Sequence, residues 1–116
     1  MHDGDKAIQD GFDKSPCLSI ISWVDLERGV KAKPQFSAKR RLALDAMLKF
    51  MIVLDFDAEC VAAYRHIVER IEYSRRKVID RTIAATALTH GLALATGNER
   101  DFIDIPDLRI NAQPRD

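Results

Sequence analysis

Short continuous apolar runs alternate along this chain with segments whose apolar residues recur at three- and four-residue steps. The runs are CLSIIS (17–22), FMIVLDF (50–56) and LALAT (92–96), all of strand length and bounded by turn or polar residues. Between the second and third runs, Ala58, Val61, Ala62, Ile67, Val68 and Ile71 follow helical spacing, and Asp57 is placed to cap that helix. A compact apolar helix is predicted over 79–89, stopped by Gly91. Ser37 is the expected N-cap of another helix, which carries Leu44, Met47 and Leu48 on one side. WVDLERGV reads as a short helix ended by Gly29, and KAKPQFSAK as a basic loop around Pro34. Residues 5–14 are helix-compatible, with Ile8 and Phe12 on one face. IDIPDLRI reads as a short loop and last strand, followed by the fraying tail NAQPRD.

Strands alternate with helices, and the strands lack the polar/apolar alternation of a half-exposed sheet. The pattern predicts an α/β fold in three layers, with helices covering both faces of a parallel sheet. The length, 116 residues, suits one domain with a real core, spanning 1–116. Formal net charge is +0, so any case for nucleic-acid binding must rest on local patches. Cys17 and Cys60 are not in a CxxC arrangement, which favours reduced, buried thiols over a disulfide or zinc framework. No apolar run reaches the roughly 18 residues of a membrane span, and the polar N-terminus is unlike a signal peptide. The expected compartment is the cytoplasm.

The candidate chemistry lies in the acids. In open α/β sheets ligands sit beyond the carboxyl ends of the strands. Asp25 and Glu27 follow the first apolar run by a few residues, and Asn98 and Asp101 follow the third. Asp80 opens the helix leading into that third run, and the sequence leaves open which end of the sheet it faces. If Asp25, Asp80 and Asp101 converge, their mutual repulsion calls for a divalent cation, and oxygen-only ligands suit Mg2+ or Mn2+. Metal-assisted phosphodiester hydrolysis is the matching chemistry, with Arg75, Arg76 and Lys77 available for phosphate contacts. Taken singly, each feature has a plainer reading. Asp80 suits a helix N-terminus, Asp25 and Glu27 suit a solvated helix face, and the basic run suits an exposed turn. His66 reads as surface or packing, and Trp23 as a core or interface anchor.

Three stretches together resemble one family. LSIISWVDLERGV (18–30), SRRKVIDRTIAATAL (74–88) and LALATGNERDFIDIPDL (92–108) are similar to PIN-domain proteins, specifically the VapC-type toxins of bacterial toxin–antitoxin pairs. VLDFDAECVAAYRHI (53–67) fits the same family, so the resemblance runs from about residue 3 to residue 110. It implies a Mg2+- or Mn2+-dependent endoribonuclease acting on tRNA or rRNA, usually a homodimer, held inactive by a VapB-type antitoxin. It implies metal-binding roles for Asp25, where the family normally has Glu, and for Asp80. The family's fourth acidic position falls on Asn98, which makes Asp101, three residues on, the expected carboxylate there.

The beginning of the chain departs from the family. Members open with a strand ending in a DTN-like segment whose Asp is the first metal ligand, and that strand is central in their sheet. MHDGDKAIQDGFDK resembles instead the helix that follows it, and the role is not carried over to Asp3 or Asp5. The expected domain is thus a PIN-like fold without its N-terminal central strand. Either Met1 is an internal methionine, with the strand encoded upstream, or the chain is a shortened relative that acts as a catalytically impaired binding module for an antitoxin or dimer partner.

Overall fold

The computed structural model describes residues 8–9 and 16–112. They form a five-stranded sheet in the order β3-β2-β1-β4-β5. The strands are β1 (Ile8–Gln9), β2 (Pro16–Ser19), β3 (Ile52–Leu54), β4 (Ala93–Thr96) and β5 (Ile110–Ala112). The helices are α1 (Ile20–Ala32), α2 (Ser37–Leu48), α3 (Ala58–Arg70) and α4 (Val78–Thr89). β2 pairs with β3, and β4 with β5, in parallel, as expected for an α/β domain. β1 runs antiparallel to both of its neighbours, with Ile8 opposite Cys17 on one side and Leu94 on the other. β2, β3, β4 and β5 therefore share one direction.

One expectation fails at this strand: Ile8 and Gln9 are strand rather than helix. This two-residue antiparallel segment occupies the central position between β2 and β4. The physical reason is backbone pairing. β2 and β4 carry buried residues, and unpaired backbone groups along their facing edges are costly, so even a two-residue strand is favourable there. The rest of the helix expected over 5–14, Phe12 included, lies outside the described residues, as does 113–116 of the expected tail.

Two cores lie on opposite faces of the sheet, because successive strand residues point to opposite sides. Cys17 and Leu94 face a core built with Ile67 of α3, Ile83, Ala84, Ala85 and Ala87 of α4, and Phe102 and Ile105 beyond β4. Leu18, the neighbour of Cys17, faces a second core with Leu26 and Val30 of α1 and Leu44 of α2. These are the three expected layers: α1 and α2, the sheet, α3 and α4.

Local chemistry sets the boundaries. The strand expected over CLSIIS stops at Ser19, because the Ser19 hydroxyl accepts a hydrogen bond from the Ser22 backbone N–H (2.9 Å) and caps α1. Ile20, Ile21 and Ser22 are thus helix, and α1 runs through Gly29 to Ala32. Ser37 does not cap α2. It is the first helical residue, and its hydroxyl donates to the Val30 carbonyl at 2.7 Å, tying α2 back to α1. Within the expected basic loop, Pro34–Phe36 form a 3₁₀ turn. Asp57 caps α3 as expected, accepting from Cys60 N–H at 3.1 Å. Gly91 ends the segment after α4 at φ 65°, a left-handed conformation that glycine adopts without steric cost.

Candidate active site

The carboxyl ends of β2 and β4 lie on one edge of the sheet, since both strands run the same way. Hydroxyl residues end both strands: Ser19 and Thr96 are fully or almost fully buried, as is Ser22 in the first turn of α1. Ser19 and Ser22 also pair through their hydroxyls at 2.9 Å. Thr96 Oγ1 accepts from the Asn98 backbone N–H at 3.0 Å, which fixes the start of the loop beyond β4. From that loop Asn98 Nδ2 donates to Asp101 Oδ2 at 3.0 Å, so the two residues expected from the GNERD segment form one unit. The carboxylate is oriented by the amide beside it.

Asp80 is the third residue of α4, in its first turn, where a negative charge is favoured by the helix dipole. Its end of the sheet is settled by its neighbours. Lys77 Nζ and Arg81 Nη2 lie 3.7 Å and 3.8 Å from Asp104 Oδ2, and Asp104 follows Asp101 by three residues. Asp80, between these two cations in sequence, is therefore at the edge where the Asn98–Asp101 unit stands.

Asp25 approaches from α1. Its side chain is only 14% exposed and is paired with Arg28 one turn on, whose own side chain is 75% exposed. Ile21, Val24, Asp25 and Arg28 line a cavity of about 400 Å³ together with Ile79, the residue before Asp80. Asp25 and the start of α4 thus border one hollow. Arg75, Arg76 and Lys77 form a 3₁₀ turn running directly into α4, with the two arginines exposed, so the basic run adjoins Asp80.

Glu27 has a different use. It accepts from Arg41 of α2 through both oxygens, at 2.7 Å and 3.0 Å, and from Trp23 Nε1 at 3.0 Å. Hydrogen bonds from Arg41, then Trp23, pull its carboxyl from 4.5 down to about 2. It joins α1 to α2 and is no part of the acidic edge.

The donors for a metal ion are oxygens only, which suits Mg2+ or Mn2+ in chemistry. Their arrangement does not fit one as it stands. Among the described residues no three acidic, histidine or cysteine side chains are gathered closely enough to hold an ion. Asp25 is neutralised by Arg28, and Asp101 is held by Asn98.

Sequence reasoning missed Arg81. It is 3% exposed in the apolar face of α4, and its Nε and Nη1 have no hydrogen-bond partner. A usable signal existed: Arg81 stands three, four and seven positions before Ala84, Ala85 and Leu88, so helical spacing puts a cation on the buried stripe. The buried hydroxyls of Ser19, Ser22 and Thr96 left no such mark, because Ser and Thr are ordinary at strand ends.

The three-layer α/β/α arrangement is that of a PIN-like domain, and the PIN domain family matches residues 3–108. The chain belongs to the PIN domain family and is of the VapC type. It is similar to the tRNA(fMet)-specific endonuclease VapC of Salmonella typhimurium, 31% identical over 81% of this chain and 72% of that protein. Ribonuclease VapC4 of Mycobacterium tuberculosis is 28% identical over 80% of this chain and 73% of that protein. Among solved structures, DNA-bound VapBC from Salmonella typhimurium superposes with a TM-score of 0.71, at 25% identity, covering 83% of this chain and 74% of that one. VapBC2 from Rickettsia felis, bound to a DNA fragment from its promoter, shares the fold at a TM-score of 0.72 and 24% identity, covering 84% and 74%. No described helix is long and apolar enough to cross a membrane.

Proposed function

We propose that this chain is the endoribonuclease toxin of a VapBC-type pair, cleaving RNA phosphodiester bonds with Mg2+ or Mn2+ as cofactor. The observation that carries the reading is the placement of its acids. Asp25 borders the hollow shared with Ile79, Asp80 stands in the first turn of α4, and the Asn98–Asp101 unit follows β4. Asp25, Asp80 and Asp101 would be the metal ligands, Asn98 would orient Asp101, and Arg75, Arg76 and Lys77 would meet phosphate. A bound cation would activate water and stabilise the charged transition state. Because the three carboxylates are not gathered in this structure, the proposal requires them to close around the ion.

The relatives' names support RNA as the substrate class, with tRNA or rRNA as the expected targets, and the VapBC neighbours support a VapB-type antitoxin as partner. A homodimer in the cytoplasm completes the reading. The test is cleavage of RNA by the protein freed of any antitoxin, in Mg2+ or Mn2+, beside its Asp80→Asn variant. Equal cleavage by the two proteins would refute the assigned site.

A second reading is favoured by the same lack of a three-acid group: a binding module that engages an antitoxin or a dimer partner without cutting RNA. It predicts no cleavage with any divalent metal, alongside a stable complex with a VapB-type antitoxin.

A further inference from the structure

Arg81 is a cation without enough partners. Its side chain is 4% exposed, Nε and Nη1 have no acceptor, and Nη2 reaches only Asp104 at 3.8 Å, too far for a hydrogen bond. Asp104 is shared with Lys77, at 3.7 Å, so two positive groups face one carboxylate. Side chains on a helix lean towards its N-terminus, and contact with the carboxylate that also meets Lys77 puts the Arg81 head group at the first turn of α4. No side chain of the capping residue, Lys77, closes that helix end. An uncapped helix N-terminus and an unsatisfied buried guanidinium are both complementary to an oxyanion. The way in is past Asp104 and Lys77, whose side chains are 39% and 35% exposed.

We infer that Arg81 and Lys77 at the N-terminus of α4 form a phosphate-binding subsite, covered by Asp104 and opened when an RNA phosphate takes its place. The subsite rests on the ribonuclease reading for its ligand. The exposed Arg75 and Arg76 immediately before it favour a polyanionic backbone over a single acidic side chain.

The experiment measures binding of a single-stranded RNA oligonucleotide to the intact protein in a chelating buffer, where no metal-dependent cleavage occurs, with inorganic phosphate as competitor. Arg81→Met is expected to weaken binding roughly ten- to a hundredfold, and to make the salt dependence shallower by about 0.7 in log–log slope. Asp104→Asn is expected to tighten binding, a change of opposite sign that a folding defect does not produce. Arg81→Lys, which keeps the charge and loses the planar fork, is expected to lie between Arg81→Met and the parent. Parent-like binding by both Arg81 variants, or weaker binding by Asp104→Asn, would overturn the subsite. Arg81-dependent binding of polyglutamate without binding of RNA or phosphate would overturn it in favour of a carboxylate-bearing partner. The two readings fail separately. Asp80-dependent cleavage with Arg81-independent binding removes the subsite alone, and Arg81-dependent binding without cleavage in Mg2+ removes the nuclease alone.

Discussion

Two clusters of arginine and acid in this molecule have similar composition and opposite states of satisfaction. Between α1 and α2, Arg41 donates to Glu27 and to Asp45, and Trp23 adds a third donor to Glu27. Between α4 and the loop after β4, Arg81 and Lys77 share Asp104 at ion-pair distances beyond hydrogen-bond reach, and two guanidinium nitrogens are orphaned. The first cluster is half-exposed, where an unpaired arginine would cost little, yet its hydrogen bonds are complete. In the second the arginine itself is buried, where an unpaired guanidinium is expensive, yet its hydrogen bonds are incomplete. Stability alone accounts for the first and opposes the second. That contrast separates a brace between helices from a group kept for a ligand, and it locates the latter beside Asp80.

The comparison is most directly broken by activity. Asp80→Asn is expected to lower RNA cleavage at least about a hundredfold, while Arg41→Met leaves cleavage near the parent level. Comparable losses in both, measured on one RNA under one metal concentration, would erase the distinction between site and brace. Stability sharpens it next. Arg81→Met replaces an unsatisfied buried cation by an apolar chain of similar length, and is expected to raise unfolding free energy by about 1–4 kcal/mol in urea denaturation. A clear loss instead would mean that Arg81 is a structural member of the α4 core. At the start of α1, Ser19→Ala removes the cap on Ser22 N–H and is expected to cost about 1 kcal/mol. A neutral outcome would show that the buried hydroxyl pair contributes nothing.

The smallest effect is in pH. Glu27 has its folded pKa lowered to about 2, so its contribution is fully present above the unfolded value of 4.5. That contribution is lost as pH falls from there towards about 2. Glu27→Gln is expected to flatten the acid limb of the stability curve over that window. An unchanged limb would show that solvent screens the brace.

Much of the architecture was legible because the buried segments announce themselves. LALAT became β4, the apolar steps after Asp57 became α3, and the 79–89 helix became α4 within one residue. The boundaries that failed did so where one hydroxyl decided between two structures. Ser19 turned the second half of CLSIIS into helix, and Ser37 left its expected cap position to bind α1. Of the candidate site, the residue types and chain positions of Asp25, Asp80, Asn98 and Asp101 were legible in the sequence. The 3.0 Å pairing of Asn98 with Asp101 and the neutralising Arg28 were not, since both depend on side-chain geometry.

The sequence by itself determined the layer order, because apolar runs buried on two faces require helices on both sides of the sheet. It also determined which acids follow which strands, because that is a matter of chain order. Only the tertiary structure decided that Asp80 shares the edge with Asp101, since the direction of α4 against β4 depends on the return through Gly91 and on the contacts of Lys77 and Arg81 with Asp104. It alone showed β1 running against its neighbours' direction, which the six residues between β1 and β2 require, being too few for a parallel crossover. And it alone showed that Arg81, which helical spacing already puts on the buried stripe, has no acceptor for its Nε and Nη1, a property of three-dimensional surroundings that no residue spacing records.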